Sequence, residues 1–325
     1  GLVARHVARW DGSAWRTMGS GLGDDVLALQ VSGTTVYAGG RFLNAGGSSR
    51  GSYVAKWTGS AWGSVGGAYT ANPIQAAVHA LTLDDSSRLY AAGEFYVSGP
   101  AGRRSVVRWN GSAWASLGDG MTGDIATLGV GAAGNILAGG AFTVADDAVV
   151  DRLAVWSGTV WAGIGDDGQG LGSIDDPPPV APEVAALAAD SAGGIIAVGT
   201  FSAAGSVPVE RVARWDGGAW APVPGTADPL VVLASAAGDG LGNVYVGGTF
   251  GTIGGVGASN VARWDGSAWT GLAGGTNGHV SSLAVGAGNL LYAAGPFTMA
   301  GGTAAASVAR WNGTAWTPLG GGWPG

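Results

Sequence analysis

The sequence predicts an all-β fold, one four-stranded antiparallel unit repeated along the chain, and three observations predict it. The first is tryptophan spacing. Fourteen of the fifteen tryptophans fall in the pattern W-x-x-x-x-W: Trp10/Trp15, Trp57/Trp62, Trp109/Trp114, Trp156/Trp161, Trp215/Trp220, Trp264/Trp269 and Trp311/Trp316. Their first members lie 47, 52, 47, 59, 49 and 47 residues apart. The second is that all six phenylalanines, Phe42, Phe95, Phe142, Phe201, Phe250 and Phe297, end short apolar phrases such as VYAGGRF and VYVGGTF. The third is an upstream apolar phrase of rhythm V-x-x-L: Val26/Leu29, Val78/Leu81, Ile125/Leu128, Val184/Leu187, Leu230/Leu233 and Val280/Leu283. Runs of this length bounded by Gly, Asn and Asp suit buried strands rather than helices. A period of 40–50 residues with strand content is that of propeller blades.

Each unit then reads as four strands. Strand a is the V-x-x-L phrase, strand b ends at the phenylalanine, strand c is V-A-R-W, and strand d starts near the second tryptophan. Asp11-Gly12, Asn110-Gly111, Asp216-Gly217, Asp265-Gly266 and Asn312-Gly313 mark c–d hairpins, the strongest short-range hairpin signal. Thr58-Gly59 and Ser157-Gly158 are weaker forms of the same signal. The hairpin brings each tryptophan pair together across two strands, a structural role. Gly39-Gly40 or Ala92-Gly93 in strand b read as positions where neighbouring sheets approach.

Composition narrows the function classes. Glycine is 64 of 325 residues and charged residues are 11%, while 46% apolar content excludes disorder. A net charge of −7, with Lys56 the single lysine, argues against nucleic acid and against anionic membranes. No cysteine is present, which excludes disulfides, thiolate metal sites and cysteine nucleophiles. No apolar run reaches the length of a membrane span. No charged-then-apolar leader is present, so any signal peptide is expected to have been removed, and the near-absence of lysine with a surface rich in Gly, Ala, Ser and Thr makes a secreted or cell-surface chain the expectation.

The repeat resembles the kelch family, in divergent form. Tyr37-Ala38-Gly39-Gly40 followed by Trp57 and Trp62, and Tyr245-Val246-Gly247-Gly248 followed by Trp264 and Trp269, follow the kelch order of double glycine, aromatic, turn and tryptophan. The W-D/N-G-S-A-W phrase departs from it, with Trp where kelch usually has Tyr. The resemblance covers nearly the whole chain and implies a β-propeller more firmly than an activity. Residues 1–325 are expected to form one propeller domain, seven-bladed, with six full blades and an N-terminal half blade. Seven c–d hairpins but six a–b pairs leave the missing pair to flanking sequence, to a spare hairpin on six blades, or to another molecule.

Phenylalanine-to-tryptophan distances are nearly constant at 14 or 15 residues, whereas the distance from the second tryptophan to the next phenylalanine runs from 27 to 40. Insertions therefore fall in d–a connections, the natural place for recognition on a rigid scaffold. The longest holds Asp166, Asp167, Asp175, Asp176, Pro177 to Pro179 and Glu183. Its carboxylates make it the candidate calcium or docking loop. It lacks the alternating spacing of a dedicated calcium loop, so a solvated, proline-stiffened loop is the weightier reading. Asp24/Asp25, Asp124 and Asp228 occupy comparable positions.

Arg9, Lys56, Arg108, Arg214, Arg263 and Arg310 precede the first tryptophan, and a sheet-to-sheet lock on an aromatic or carboxylate outweighs an anion-binding ring. His6, His79 and His279 accompany no motif, and no nucleophile elbow or metal-ligand pair appears. Asn110 and Asn312 match the glycosylation sequon, but Asn-Gly is already explained there by the turn. These observations point to a non-enzymatic structural or protein-interaction scaffold without a cofactor. A carbohydrate-binding propeller is the alternative, with a glycoside-active enzyme behind it.

Overall fold

The computed structural model describes residues 4–47, 53–66, 74, 76–95, 104–131, 134–165, 170–173, 181, 183–190, 192–225 and 231–321. They form two compact units, Gly1–Gly163 and Ile164–Gly325, each described by itself. In the first unit a two-stranded sheet 1 (Ala8–Trp10, Trp15–Thr17) precedes three four-stranded sheets. These are sheet 2 (Val26–Ser32, Thr35–Gly40, Val54–Trp57, Trp62–Ser64), sheet 3 (Val78–Leu83, Leu89–Gly93, Val106–Trp109, Trp114–Ser116) and sheet 4 (Ile125–Val130, Ile136–Gly140, Leu153–Trp156, Trp161–Gly163). The second unit contains sheet 5 (Val184–Ala189, Ile195–Gly199, Val212–Trp215, Trp220–Pro222), sheet 6 (Val232–Gly238, Val244–Thr249, Val261–Trp264, Trp269–Gly271) and sheet 7 (Ser282–Gly286, Leu290–Ala294, Val308–Trp311, Trp316–Pro318). In sheets 2 to 7 the strands lie in the order a-b-c-d, every neighbour antiparallel.

The c–d hairpin is the same device seven times. Each tryptophan pair stands in direct register, as Trp10 does opposite Trp15 and Trp161 opposite Trp156. Ring centroids are 5.3–5.6 Å apart at tilted or edge-on angles, the arrangement the ring quadrupole favours. The register leaves a four-residue loop rather than the two-residue hairpin that Asp-Gly advertises. Asp265 Oδ1 accepts from the Ser267 amide (2.9 Å), the Ser267 hydroxyl (2.8 Å) and the Ala268 amide (2.8 Å), and Asn110 and Asn312 repeat this. The following glycine takes φ of +95° at Gly266 and +100° at Gly111, which no side chain enters cheaply.

These donors hold the Asp265 carboxyl below the ordinary aspartate value, to about 2, the Ala268 amide contributing most. Asp216 and Asp11 are lowered likewise, Asp216 foremost by the Ala219 amide and Asp11 foremost by Arg16. A depressed folded-state value means stability is present above the unfolded pKa, near about 4, and is lost as pH falls toward 2. Changing all three to Asn, the residue used at 110 and 312, is expected to flatten the pH dependence of urea unfolding between pH 4 and 2. An unchanged slope would contradict this.

Sheets within each unit pack face to face. Val54, Leu81, Leu89, Phe95 and Val107 fill the space between sheets 2 and 3, and Tyr90, Met121, Leu128, Phe142 and Trp161 that between sheets 3 and 4. Corresponding clusters join sheets 5 to 6 and 6 to 7. Second tryptophans also tie sheet to sheet through their indole N–H. Trp62 donates to the Met18 carbonyl (2.9 Å), Trp114 to Val65 (3.2 Å), Trp161 to Leu117 (2.8 Å), Trp316 to Leu272 (2.8 Å), and Trp269 to Pro224. Each acceptor lies just past strand d of the preceding sheet. Trp57, Trp62, Trp114, Trp161, Trp264, Trp269, Trp311 and Trp316 are buried; Trp10, Trp15, Trp109, Trp156, Trp215 and Trp220 are half-buried.

Four sequence readings change. Strand b stops before its phenylalanine, at Gly40, Gly93, Gly140, Gly199, Thr249 and Ala294. The glycine in register with the start of strand a presses on a backbone carbonyl, and the phenylalanine then turns into the core. In sheet 6 the register sets Leu233 opposite Gly248, the slot Val26 fills opposite Gly40, so Leu230–Leu233 was placed three residues too early. The b–c connections of sheets 4 to 7 contain two-residue ribbons, such as Val144–Ala145 with Ala148–Val149. Bridges Leu22↔Ala45, Met121↔Ala145 and Thr276↔Ala300 join a d–a connection to the next sheet's b–c segment.

The basic residue before the first tryptophan has a strand b neighbour in the ladder of its own sheet in sheets 2, 3, 6 and 7, and an a–b turn carboxylate in sheet 5. Lys56, Arg108, Arg263 and Arg310 stand opposite Tyr37, Tyr90, Tyr245 and Tyr292 of strand b, and Arg214 Nε donates to Asp190 of the a–b turn at 2.6 Å. Among the described residues no helix is long and apolar enough to cross a membrane.

Candidate functional site

Acidic groups occupy the two ends of strands a and b in different ways. At the a–b turn, Asp84 is buried and its oxygens accept from Ser86 N, Arg88 N, Arg88 Nε and Tyr90 Oη. Burial raises its pKa, and the Arg88 and Tyr90 donors outweigh that and hold it low. Asp190 and Asp239 likewise accept amides of their own turns. These carboxylates are consumed in closing turns.

The other end of the same strands is open. There the residue after strand b donates its amide to the residue before strand a: Arg41 to Asp25, Glu94 to Ala77 and Ala141 to Asp124, each at 2.9 Å. That bond fixes the same strand end within each sheet, and the side chains next to it form a rim. In the first unit the rim holds His6, Asp25, Arg41, His79, Glu94, Arg104 and Asp124. His79 Nε2 lies 3.1 Å from Glu94 Oε1, and Arg41 reaches the same oxygen at 3.8 Å. Arg104 meets Asp124 at 3.2 Å and His6 meets Asp25 at 3.8 Å. His79 sits at the bulge between Val78 and Ala80, which turns it toward the strand end. In the second unit the same strand end places Thr249 Oγ1 2.7 Å from His279 Nδ1.

The histidines that no motif claimed are therefore rim residues. Their sequence signal was positional. The residue before the buried phenylalanine is Arg41, Glu94, Ala141, Thr200, Thr249 or Pro296, while the glycine and phenylalanine around it scarcely change. Of the expected interaction loop, Glu183 is exposed at this end of sheet 5 and its carbonyl accepts the Thr200 amide at 3.0 Å. Asp166, Asp167, Asp175, Asp176, the three prolines and Asp228 lie outside the described residues. Among the described residues no three His, Asp or Glu side chains gather as metal ligands. Asn110 and Asn312 are exposed, each with its carbonyl oxygen committed to the turn. The rim is an exposed mixed-charge surface with an imidazole on a carboxylate, suited to matching polar and charged groups of a ligand.

No family model matches the chain, and no curated protein is similar to it in sequence. Solved structures are similar in fold. One is described as the extracellular domain of a hybrid two-component system of B. thetaiotaomicron. It has a TM-score of 0.58 at 11% identity over 93% of this chain, which spans 35% of that one. Virginiamycin B lyase from Staphylococcus aureus has a TM-score of 0.51 at 12% identity, over 90% of this chain and 84% of that one. With the repeated four-stranded sheets, this likeness shows an all-β fold of the β-propeller type.

Proposed function

We propose that the chain is a non-enzymatic scaffold that binds a protein partner through the mixed-charge rim, its kelch-like repeats forming one propeller domain over residues 1–325. One observation carries this reading. Within each repeat the packing positions keep their chemistry, while the rim position before the phenylalanine runs through Arg, Glu, Ala, Thr, Thr and Pro. A position freed from packing and varied on a fixed frame is where recognition is built. The extracellular setting of one structural neighbour and the low lysine content support action outside the cell or at its surface.

The test is affinity isolation from the surface and secreted proteins of the native host. It compares the wild type with the double reversal Arg41→Glu/Glu94→Arg, which leaves the core untouched and is expected to keep the same Tm. The reading predicts a protein retained by the wild type and lost at least tenfold by the variant. Retention equal in both would contradict the rim assignment. Wild-type binding on a glycan array, or turnover in a glycosidase and lyase screen, would contradict the scaffold itself.

A further inference from the structure

Three Asn-Gly pairs occur in the chain, Asn110-Gly111, Asn277-Gly278 and Asn312-Gly313, and the fold sets them in two different surroundings. The dipeptide is reactive by construction, because glycine puts no side chain in the way of its own amide nitrogen. Attack by that nitrogen on the preceding asparagine Cγ closes a five-membered imide. The rate depends on proximity, on stabilising the charge that Oδ1 gathers, and on room for the loop to move.

Two of the pairs sit in c–d turns. Asn110 Oδ1 accepts from the Ser112 amide (2.9 Å), the Ser112 hydroxyl (3.0 Å) and the Ala113 amide (2.8 Å). Asn312 Oδ1 accepts from the Thr314 amide, the Thr314 hydroxyl and the Ala315 amide, each at 2.9 Å. These bonds fold the side chain over its own loop, and three donors on one oxygen polarise the Cγ carbonyl. Neither Nδ2 meets an acceptor among the described residues, so nothing holds the leaving nitrogen. Gly111 and Gly313 are exposed, and a Cβ on either would meet nothing within 4 Å.

Asn277 is held differently. Its Oδ1 accepts the amides of Thr298 and Met299, both at 2.9 Å, and its Nδ2 donates to Thr298 Oγ1 at 2.8 Å. The side chain is thus anchored to the b–c segment of sheet 7 instead of over its own loop. Gly278 is packed on backbone: a Cβ there would fall 2.5 Å from the Pro296 oxygen and 3.1 Å from Phe297 Cα. The loop has no room to close a ring.

We propose that Asn110 and Asn312 are sites of spontaneous deamidation, and that the fold protects Asn277 from it. The Gly111 or Gly313 nitrogen gives up its proton and forms a bond to Cγ. The Cγ–Nδ2 bond breaks, and Nδ2 leaves with that proton as ammonia. Water, the one co-reactant, then adds to the imide. Breaking the new N–Cγ bond gives aspartate; breaking the original peptide bond gives isoaspartate. Aspartate restores the turn already built at Asp11, Asp216 and Asp265, which accept the same two amides. Isoaspartate adds an atom to the main chain between two tryptophans that must stay in register. Two further carboxylates on a net charge of −7 make −9. These turns contain none of the rim residues, so the proposal stands whatever the rim binds.

The test incubates the wild-type chain at mildly alkaline pH, folded in buffer and unfolded in guanidinium chloride. Peptide mass mapping follows amide-to-acid conversion at each of the three asparagines. In the folded chain Asn110 and Asn312 are expected to convert at least tenfold faster than Asn277. In denaturant the three rates are expected to converge, since the dipeptide is the same and the fold is gone. Conversion of Asn277 at the rate of the other two in the folded chain would overturn the proposal. So would Asn110 and Asn312 as slow as Asn277, or a tenfold ordering that persists in denaturant.

Discussion

Trp161→Ala is expected to lower stability by about 3–5 kcal/mol, the range for truncating a large buried aromatic. Trp161 is 2% exposed and lies in the cluster with Leu117, Met121, Phe142 and Val150. Its ring leans on Trp156 at 5.4 Å and its N–H reaches the Leu117 carbonyl of the preceding sheet at 2.8 Å. Truncation removes the ring and the bond together and leaves a void between two sheets that the remaining contacts hold apart. Trp161→Phe separates the two losses. It keeps most of the volume and strands the Leu117 carbonyl, for an expected cost of about 1–3 kcal/mol. Chemical unfolding of both variants checks the pair. A loss below about 1 kcal/mol for the alanine variant would mean that the ring bears little of the packing.

Gly248→Ala is expected to be the other large effect, although it adds only a methyl group. A Cβ there would overlap the Val232 carbonyl oxygen and lie 3.0 Å from Leu233 Cα, so backbone rather than a side chain would have to move. The same overlap recurs at Gly40 with Asp25, Gly93 with Ala77, Gly140 with Asp124, Gly199 with Glu183 and Gly295 with His279. All six sheets therefore start the a–b ladder by a carbonyl seated on a bare Cα. Overpacking of this kind costs about 1–3 kcal/mol or more. Gly251→Ala, three residues on and with open space around it, serves as the control and is expected to stay within about 0.5 kcal/mol. Equal effects at 248 and 251 would refute the contact argument.

The hairpins were legible in sequence because tryptophan is rare and its register is local: four residues separate each pair, and the turn chemistry lies between them. The b–c ribbons were not, since strands of two residues carry no alternation. The phrase around Leu230 to Leu233 offered two alignments of similar apolar residues, and only the ladder to Gly248 distinguishes them. For Arg214 the partner is a carboxylate of its own sheet, Asp190, which alternation could not name because it fixes a side chain's face and not its neighbour. The rim was the least legible feature. Arg41, His79 and Glu94 come from two sheets and share no motif, and the fold alone brings them to one oxygen. What could be read was its frame, the invariant glycine and phenylalanine around a varying residue.

The central claim is that Trp62, Trp114, Trp161, Trp269 and Trp316, second members of five pairs, fasten their sheets to the one before. Hydrogen exchange of the indole N–H protons, followed by NMR on the intact chain, tests it most directly. The account predicts that Trp62, Trp114, Trp161, Trp269 and Trp316 exchange orders of magnitude more slowly than free tryptophan. Exchange of all five at the rate of the free amino acid would contradict it, because those rings would then face solvent instead of the neighbouring sheet.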